Sequence, residues 1–437
     1  MANCTPTTME FSPLNRKKIE ASFTGGSIGS DGGILLLREL DKRLGLTKKI
    51  SRQIKDTRHP SYIQHSIETL LKQRVYAIAC GYEDVNDHDQ LRQDHCFQLG
   101  VGREMNLASS ATLSRFENAI DRKSLVAISQ EMVEHFIRQH NTPPKEISLD
   151  FDPTDHTIYG HQADRHYHGY YKDYCYLPLH VFCKEHLLVS LLRPSNLDAS
   201  RYAGAILKLL VKRFRQVWPN VKILFRGDSA FTRKFIFSWC ERHQVDYISG
   251  MAGNQCLQRL AKPWVDKAEK AYKSTDQKQR LFGELLYAAG SWSRQRRVIV
   301  KAEHHEKGDN LRFVVTSLPH DPNTVYSDYY CPRGNMENGI KQLKLDFYSD
   351  RNSCQAFLAN QCRLLLSSLA YILLTELKSV NGKVTTLTKA YGRTVRLKLL
   401  KIGVVILKNT RHIRFLLASH HPYQNDFRRI ATSLNSS

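Results

Sequence analysis

The sequence predicts an α/β fold in which a helical N-terminal region leads into a mixed core. Three observations carry this. Helix-period apolar patterning dominates residues 1–142. Beyond Pro143-Pro144 the pattern becomes three strand-like runs, a helix, a strand, a helix and a strand. Acidic residues close the first and fourth of those strands. That succession, with the acids at those ends, is the order of an RNase H-like core.

The elements follow in chain order. Gly32-Gly33 precede ILLLRELDKRLGL, an apolar-periodic helix of about three turns. Pro60 opens a second helix through SYIQHSIETLLKQRVYAIACGY, and Gly81 closes it. Asp121–His140 is the third. The core begins with ISLDFDPT (Ile147–Thr154), which alternates as a strand, and continues with CYLPLHVFCKE and HLLVSLLRP. Arg201–Trp218 is amphipathic and helical, Lys222–Asp228 is the fourth strand, Thr232–Gln244 the second core helix and Asp246–Met251 the fifth strand. The expected organisation is a helical region over 1–142 and a core over 143–252 and 311–378. An inserted β-rich subdomain occupies 253–310, and a basic segment occupies 379–437. The insertion is rich in Lys, Arg and Gln, with RRVIVKAE as a strand-like run. RFVVTSLP resumes β character before a helix starting near Asn335. In the last segment RLKLLKIGVVIL and RHIRFLLAS read as a basic β-hairpin turning near Asn409, with a long helix as the competing reading.

Charge narrows the function class. Among 437 residues, 64 Lys and Arg oppose 42 acids, a net charge of +22, which favours a polyanionic partner because each phosphate contact releases counterions. After Ser379 there are eleven basic residues and one acid, Asp426. Ten cysteines form no C-x-x-C pair, so zinc-ribbon spacing is absent, and their scatter fits a reducing cytosol. The N-terminus shows no apolar run of signal-peptide type. The run around Leu364–Leu374 is too short to span a bilayer and reads as a buried helix, so no membrane association is expected.

Three acids form the chemical constellation. Asp152 ends the first strand, Asp228 ends the fourth within FRGDSAF, and Glu337 lies on the last core helix within RGNMENGIKQLK. On adjacent strands the two aspartates share one sheet edge, and the helix brings the third carboxylate across. Such a set suits two Mg²⁺ ions roughly 3.5–4 Å apart, which stabilise charge on the attacking and leaving oxygens of a phosphodiester. Asp150 has the same facing as Asp152 and is the alternative first ligand. A single acid after a strand would be an ordinary surface residue, so the set carries the weight. The last element reads Y-x₂-R-x₃-E-x₆-K, with Tyr330, Arg333, Glu337 and Lys344. On a helix the last three share a face, which fits a metal carboxylate flanked by phosphate-gripping cations. A solvated face of i,i+4 charge pairs is the bland alternative.

Here the sequence resembles insertion-sequence transposases with a Y-(2)-R-(3)-E-(6)-K element, most closely insertion sequence family 1380. The resemblance rests on SDGGILLLRELDKRLGL, SATLSRFENAI, SLDFDPTDHTIYGHQ, YYKDYCYLPLHVF, FRGDSAF, YCPRGNMENGIKQLK and RLKLLKIG, spread almost end to end. It implies a DDE transposase that binds terminal inverted repeats of double-stranded DNA, cleaves them and joins the 3′-hydroxyl ends to target DNA. Asp152, Asp228 and Glu337 would be the catalytic metal ligands for Mg²⁺, with Mn²⁺ tolerated. Tyr330, Arg333 and Lys344 would contact end phosphates. Synapsis requires at least a homodimer, and the protein would be a bacterial, nucleoid-associated one of the cytoplasm. Related sequences usually carry a small residue where Pro153 stands. The rival functions are an RNase H-like nuclease without strand transfer and a catalytically inactive DNA-binding relative, although all three acids are kept.

Further candidates are less specific. The N-terminal helices suit DNA-end binding or dimerisation equally. Arg393, Arg396, Lys398 and Lys401 are expected to contact DNA. Trp292, beside Arg294, Arg296 and Arg297, is a candidate for holding a flipped base, with core packing the stronger reading. Asp155, His156, His161, His166 and His168 admit a metal site but fit turn capping or a groove lining better. HYHGYYKDYCY fits base stacking or strand packing equally. The glycines at 25, 26, 29, 32 and 33 do not form a phosphate loop, since no strand precedes them and no Lys-Ser/Thr follows.

Overall fold

Pro143-Pro144 stop the helical stretch, and the chain after them extends into strands whose two faces have different jobs. The computed structural model describes residues 8–380 and 387–436; the first seven residues of the N-terminus and residues 381–386 of the basic segment lie outside that description. The chain falls into two compact units, Glu117–Ile372 and Met1–Phe116 with Leu373–Ser437.

The first unit is built on an eight-stranded mixed sheet. Its elements are β1 (Glu146–Pro153), β2 (Leu179–Cys183), β3 (His186–Leu191), α1 (Ala203–Val217), β4 (Lys222–Gly227), α2 (Lys234–Arg242), β5 (Asp246–Met251), α3 (Gln255–Thr275), β6 (Gln279–Tyr287), β7 (Arg296–His305), β8 (Gly308–Thr316) and α4 (Gly334–Leu345). The strand order is β6-β7-β8-β5-β4-β1-β2-β3. β4 lies parallel to both β1 and β5, whereas β2 is antiparallel to β1 and β8 to β5.

Strand alternation divides the sheet into a packing face and a polar one. Ile147, Leu149 and Phe151 of β1 join Ile223 and Phe225 of β4 in one core with Leu207, Leu210 and Phe214 of α1 and Phe237 of α2. The intervening residues of β1, Ser148, Asp150 and Asp152, therefore face the other way. That second face packs Leu224, Ile248, Ile299 and Val314 against Val325, Tyr326 and Tyr330. The central strands are buried on both faces, which is why KILFRG reads as a nearly unbroken apolar run.

The stretch after β5 differs from its sequence reading. It opens with the 21-residue helix α3, and β6, β7 and β8 then continue the same sheet. Leu257, Ala261 and Ala268 lie along one buried stripe of α3 at helical spacing. The many charges around them and Pro263 inside the helix hid that period.

In the other unit, helices span Ile34–Leu44, Leu46–Ser51, Ile67–Cys80 and His95–Val101. The second expected helix starts later than Pro60: Pro60–Tyr62 is one 3₁₀ turn, and Ser66 caps the α-helix by accepting from the Thr69 N–H at 3.2 Å. A hairpin of Met9–Leu14 and Lys17–Ala21 was not expected, and Asn15 turns it at φ 56°. The C-terminal hairpin is present as Val404–Lys408 and Ile413–Leu417, with the Asn409 N–H bonded to the His412 carbonyl. The chain before it departs from the expectation, since Gly392–Val395 and Arg396–Leu400 are helical. Gly32 and Gly33 donate backbone N–H bonds to the carbonyls of Ile402 and Leu400, so these glycines pair with the C-terminal segment. Helix Phe357–Val380 is the one described helix long and apolar enough to cross a membrane, and 89% of its apolar window is buried inside the protein.

Candidate functional site

The parallel register of β4 on β1 builds the site. Arg226 lies opposite Asp150 and Gly227 opposite Phe151, so the next residues, Asp228 and Asp152, leave the two strands side by side at their C-terminal ends. Asp152 is set by the strand itself, and Asp228 by the first turn after its strand.

Asp150 and Asp152 separate sharply despite sharing a face. Asp150 is buried and held by Arg226, which donates from both Nε and Nη2, the latter at 2.7 Å. Arg226 also donates from Nη1 to the Tyr329 carbonyl at 2.8 Å, so its fork ties β1, β4 and the chain before α4 together. Burial outweighs the guanidinium and raises the Asp150 carboxyl above the usual carboxylate range. Asp152 is 15% exposed in its side chain and has no such partner locked to it. Burial first, and then the negative charges of Asp228 and Glu337, push its carboxyl up to about 7, against the opposing pull of Arg333. Sequence reasoning missed Arg226, because its place opposite Asp150 depends on the strand register.

Asp228 stands at the β4 exit, where its Oδ1 accepts the Ala230 N–H at 2.9 Å. Its carbonyl accepts from the Ser249 hydroxyl at 2.7 Å, and the Thr232 hydroxyl donates to the Gly250 carbonyl at 2.5 Å. These bonds fix the turn that carries Asp228 against β5.

Glu337 arrives on the first turn of α4, where the helix dipole favours negative charge. Two glycines let this chain approach. A Cβ on Gly339 would lie 2.8 Å from a ring carbon of Phe182, so only glycine allows α4 this close to β2. A Cβ on Gly250 would lie 2.5 Å from the Tyr330 hydroxyl. Arg333 sits in a 3₁₀ turn just before α4 and still makes the i,i+4 pair with Glu337, Nη2 to Oε1 at 2.6 Å. Its Nη1 is 3.5 Å from Asp152 Oδ2, and that buried nitrogen has no hydrogen-bond partner. Tyr330, half-buried, feels the charges of Arg333 and Asp228, and burial holds its phenol above its ordinary pKa. The structure thus brings Asp152, Asp228, Glu337, Tyr330 and Arg333 into one cluster, with Arg333 between carboxylates.

Lys344 points elsewhere. It donates to the Asp155 carbonyl at 2.8 Å and to its carboxylate at 3.3 Å, anchoring the segment that follows Asp152. That segment folds into a small sheet of His156–Thr157, His166–His168 and Asp173–Tyr176. Tyr176 is buried, whereas Tyr159, Tyr167, Tyr170 and Tyr174 are exposed, so the aromatic run divides between packing and surface. His156 is fully buried beside Asn352 Nδ2 at 3.2 Å, and burial lowers its pKa well below the ordinary value. Among the described residues no group of three or more His, Cys, Asp or Glu is arranged to hold a metal, neither the histidine-rich loop nor Asp152, Asp228 and Glu337 with Arg333 standing among them.

The remaining candidates lie apart from this cluster. Trp292 is buried in the packing core, edge-on to Phe237 at 5.8 Å and under the Arg296 guanidinium at 5.1 Å, so its ring is not presented to a base. Arg396 is buried and donates from Nε to the Ala79 carbonyl at 2.8 Å. Lys401 pairs with buried Asp31 at 2.8 Å. Lys398 lies over the Tyr423 ring at 4.6 Å, and Arg393 is exposed. Arg396 and Lys401 are thus tied into the fold by buried partners that sequence spacing cannot reveal.

No curated protein sequence matches the chain significantly. Among solved structures, the chain is similar to one described as the piggyBac transposase synaptic complex with hairpin DNA, determined by cryo-EM. The identity is 12% over 85% of this chain and 80% of that one, with a TM-score of 0.40. The sequence profile of the family described as transposase DDE domain group 1 matches residues 11–437. That match spans nearly the whole chain, and the chain therefore belongs to the DDE transposase family.

Proposed function

We propose that this transposase serves a bacterial insertion sequence of the family 1380 type, binding the terminal inverted repeats of double-stranded DNA, cutting them and joining the freed 3′-hydroxyls to target DNA. The observation that carries this reading is the β1–β4 register, which sets Asp152 beside Asp228 while Arg333 links Asp152 to Glu337. The strand order β3-β2-β1-β4-β5, with helices after β3 and β4, supports an RNase H-like core.

Three carboxylates and no soft ligands favour a hard divalent cation, Mg²⁺ with Mn²⁺ as a substitute, but they are not arranged as a ligand group here, and binding the ion would have to displace Arg333 from between Asp152 and Glu337. Asp152, Asp228 and Glu337 would hold it. When bound, such ions stabilise charge on the attacking and leaving oxygens of the phosphodiester. The protein's own groups position the substrate. Arg333 holds Glu337 through Nη2 and faces Asp152 through Nη1 at 3.5 Å, and that second nitrogen would turn to a phosphate oxygen once a metal neutralises Asp152. The Tyr330 hydroxyl, seated against Gly250, lies beside Asp228 as a further phosphate donor. Lys344 spends two donors on Asp155 and retains a third for DNA. Arg393 and Lys398 fit contacts to the DNA backbone, while Arg396 and Lys401 support the fold. Two ends must be held together for joining, so the working form is at least a dimer.

An excision assay in cells tests the reading, with DNA flanking the protein's own gene supplied as a marked element. Excision with reinsertion at new sites is expected. Cutting without any reinsertion would reassign the chain to a nuclease, and neither would leave a DNA-binding relative without catalysis.

A further inference from the structure

The C-terminal ends of β1 and β4 are not the only features at their edge of the sheet. β3 runs parallel to β1 through two antiparallel steps, so the loop after β3 and the start of α1 emerge there too, as does the start of α2 after Asp228. Between these two helix starts lies an open cavity of about 590 Å³. That volume falls within the roughly 300–1,000 Å³ typical of small-ligand sites.

Its walls combine positive charge with exposed rings. Arg201, Lys208 and Arg233 line it, and the single lining acid, Asp198, is paired with Arg233 at 2.7 Å. Tyr202 and Phe235, 45% and 54% exposed, supply the aromatic surface. Neither ring is loose. The Arg201 guanidinium lies 5.3 Å over the Tyr202 ring, and Phe235 packs so near Gly204 that a Cβ there would lie 2.8 Å from it. Tyr202 also holds φ at 68°, a left-handed backbone that costs a non-glycine residue energy and gathers at functional sites. Phosphate-seeking cations around flat, outward-facing rings are the surface that takes an unpaired nucleotide, with the base on an aromatic face and the phosphates among the cations.

We propose that this groove binds an unpaired nucleotide of the DNA strand that runs past the cleavage point. The inference rests on the reading of Asp152, Asp228 and Glu337 as the cleavage site, because it is the shared sheet edge that lets one strand reach both places.

The test uses the full-length protein and labelled duplexes, one fully paired and one with three unpaired nucleotides carrying 2-aminopurine. Binding is read by anisotropy and stacking by 2-aminopurine quenching. The parent should prefer the unpaired probe and quench it. Tyr202→Ala and Phe235→Ala should each weaken that binding about 5-fold or more and reduce quenching, with Tyr202→Phe restoring both. Arg201→Ala with Lys208→Ala should flatten the salt dependence by about 0.7 per phosphate lost. Equal losses on paired and unpaired probes would overturn the proposal in favour of duplex contact. Unchanged binding, or a homodimer that the variants dissociate without DNA, would overturn it in favour of a protein interface. Thymidine monophosphate binding as tightly as the strand would overturn it in favour of a free-nucleotide site. Nicking in Mg²⁺ separates the two readings. A parent that nicks while its groove variants bind and quench like it loses only this proposal. A parent that never nicks loses the cleavage reading, while anisotropy still scores the groove.

Discussion

Asp150 and Arg226 face each other across parallel strands, and their buried pairing removes Asp150 from the neighbouring carboxylate cluster. Two acids one pleat apart thereby acquire different surroundings. Asp150→Ala leaves a buried guanidinium uncompensated, a loss of about 3–5 kcal/mol for a broken buried pair. Thermal unfolding should fall steeply for that variant. Asp152→Ala should retain or raise the unfolding temperature and abolish nicking. A stable, inactive Asp150→Ala beside an active Asp152→Ala would reverse the assignment.

Asp152 gives the metal-free protein a distinct pH signature. Its carboxyl is raised to about 7 in the fold, against about 3.9 in an unfolded chain. For an acid with a raised pKa, the folded state is penalised once the unfolded chain ionises. The penalty grows from about pH 4 and is complete above about pH 7. Asp152→Asn should therefore unfold at a higher temperature than the parent at pH 8 in chelator, with the gap closing toward pH 4. A gap that widens on acidification would contradict the burial argument.

Arg333 distinguishes a fork from a point charge. Arg333→Lys can keep one contact to Glu337 but cannot also direct a second, fixed donor toward a phosphate. It should retain most DNA affinity and lose roughly ten-fold or more in cleavage rate, with Arg333→Ala losing more. Parent-like rates for both variants would make the pair with Glu337 a solvated surface contact.

The C-terminal basic residues should separate by burial. Arg393→Ala with Lys398→Ala should lower the slope of log affinity against log salt by about 0.9 per duplex phosphate lost, at unchanged circular dichroism. Arg396→Ala should instead lower thermal stability, since its guanidinium serves backbone carbonyls of Ile78 and Ala79. An unchanged slope in the double variant would give this segment to structure or a protein partner.

Much of this was legible in the sequence, for identifiable reasons. Alternation along ISLDFDPT indicated both the strand and the facing of its acids, and the i,i+4 pairing of Arg333 with Glu337 was legible from their spacing. What sequence could not supply was register. Whether Arg226 would meet Asp150 or Asp152 depends on a two-residue offset between strands whose paired residues lie 76 apart in the chain. Burial was similarly hidden. Arg393, Arg396, Lys398 and Lys401 look alike in a basic run, and only packing shows that Arg396 is enclosed. Helix α3 was missed because its apolar stripe is made partly of alanine, which carries little weight in a pattern full of lysine.

In the proposed function Asp152, Asp228 and Glu337 act together on DNA. The most direct measurement is single-turnover nicking in Mg²⁺ of duplexes from the flanks of the protein's own gene, with gel-shift affinity on the same DNA. Asp228→Asn and Glu337→Gln should bind like the parent and nick at least about a thousand-fold more slowly, as expected when several kcal/mol of charge stabilisation is removed. Substantial nicking by the Asp228→Asn variant would contradict that joint action.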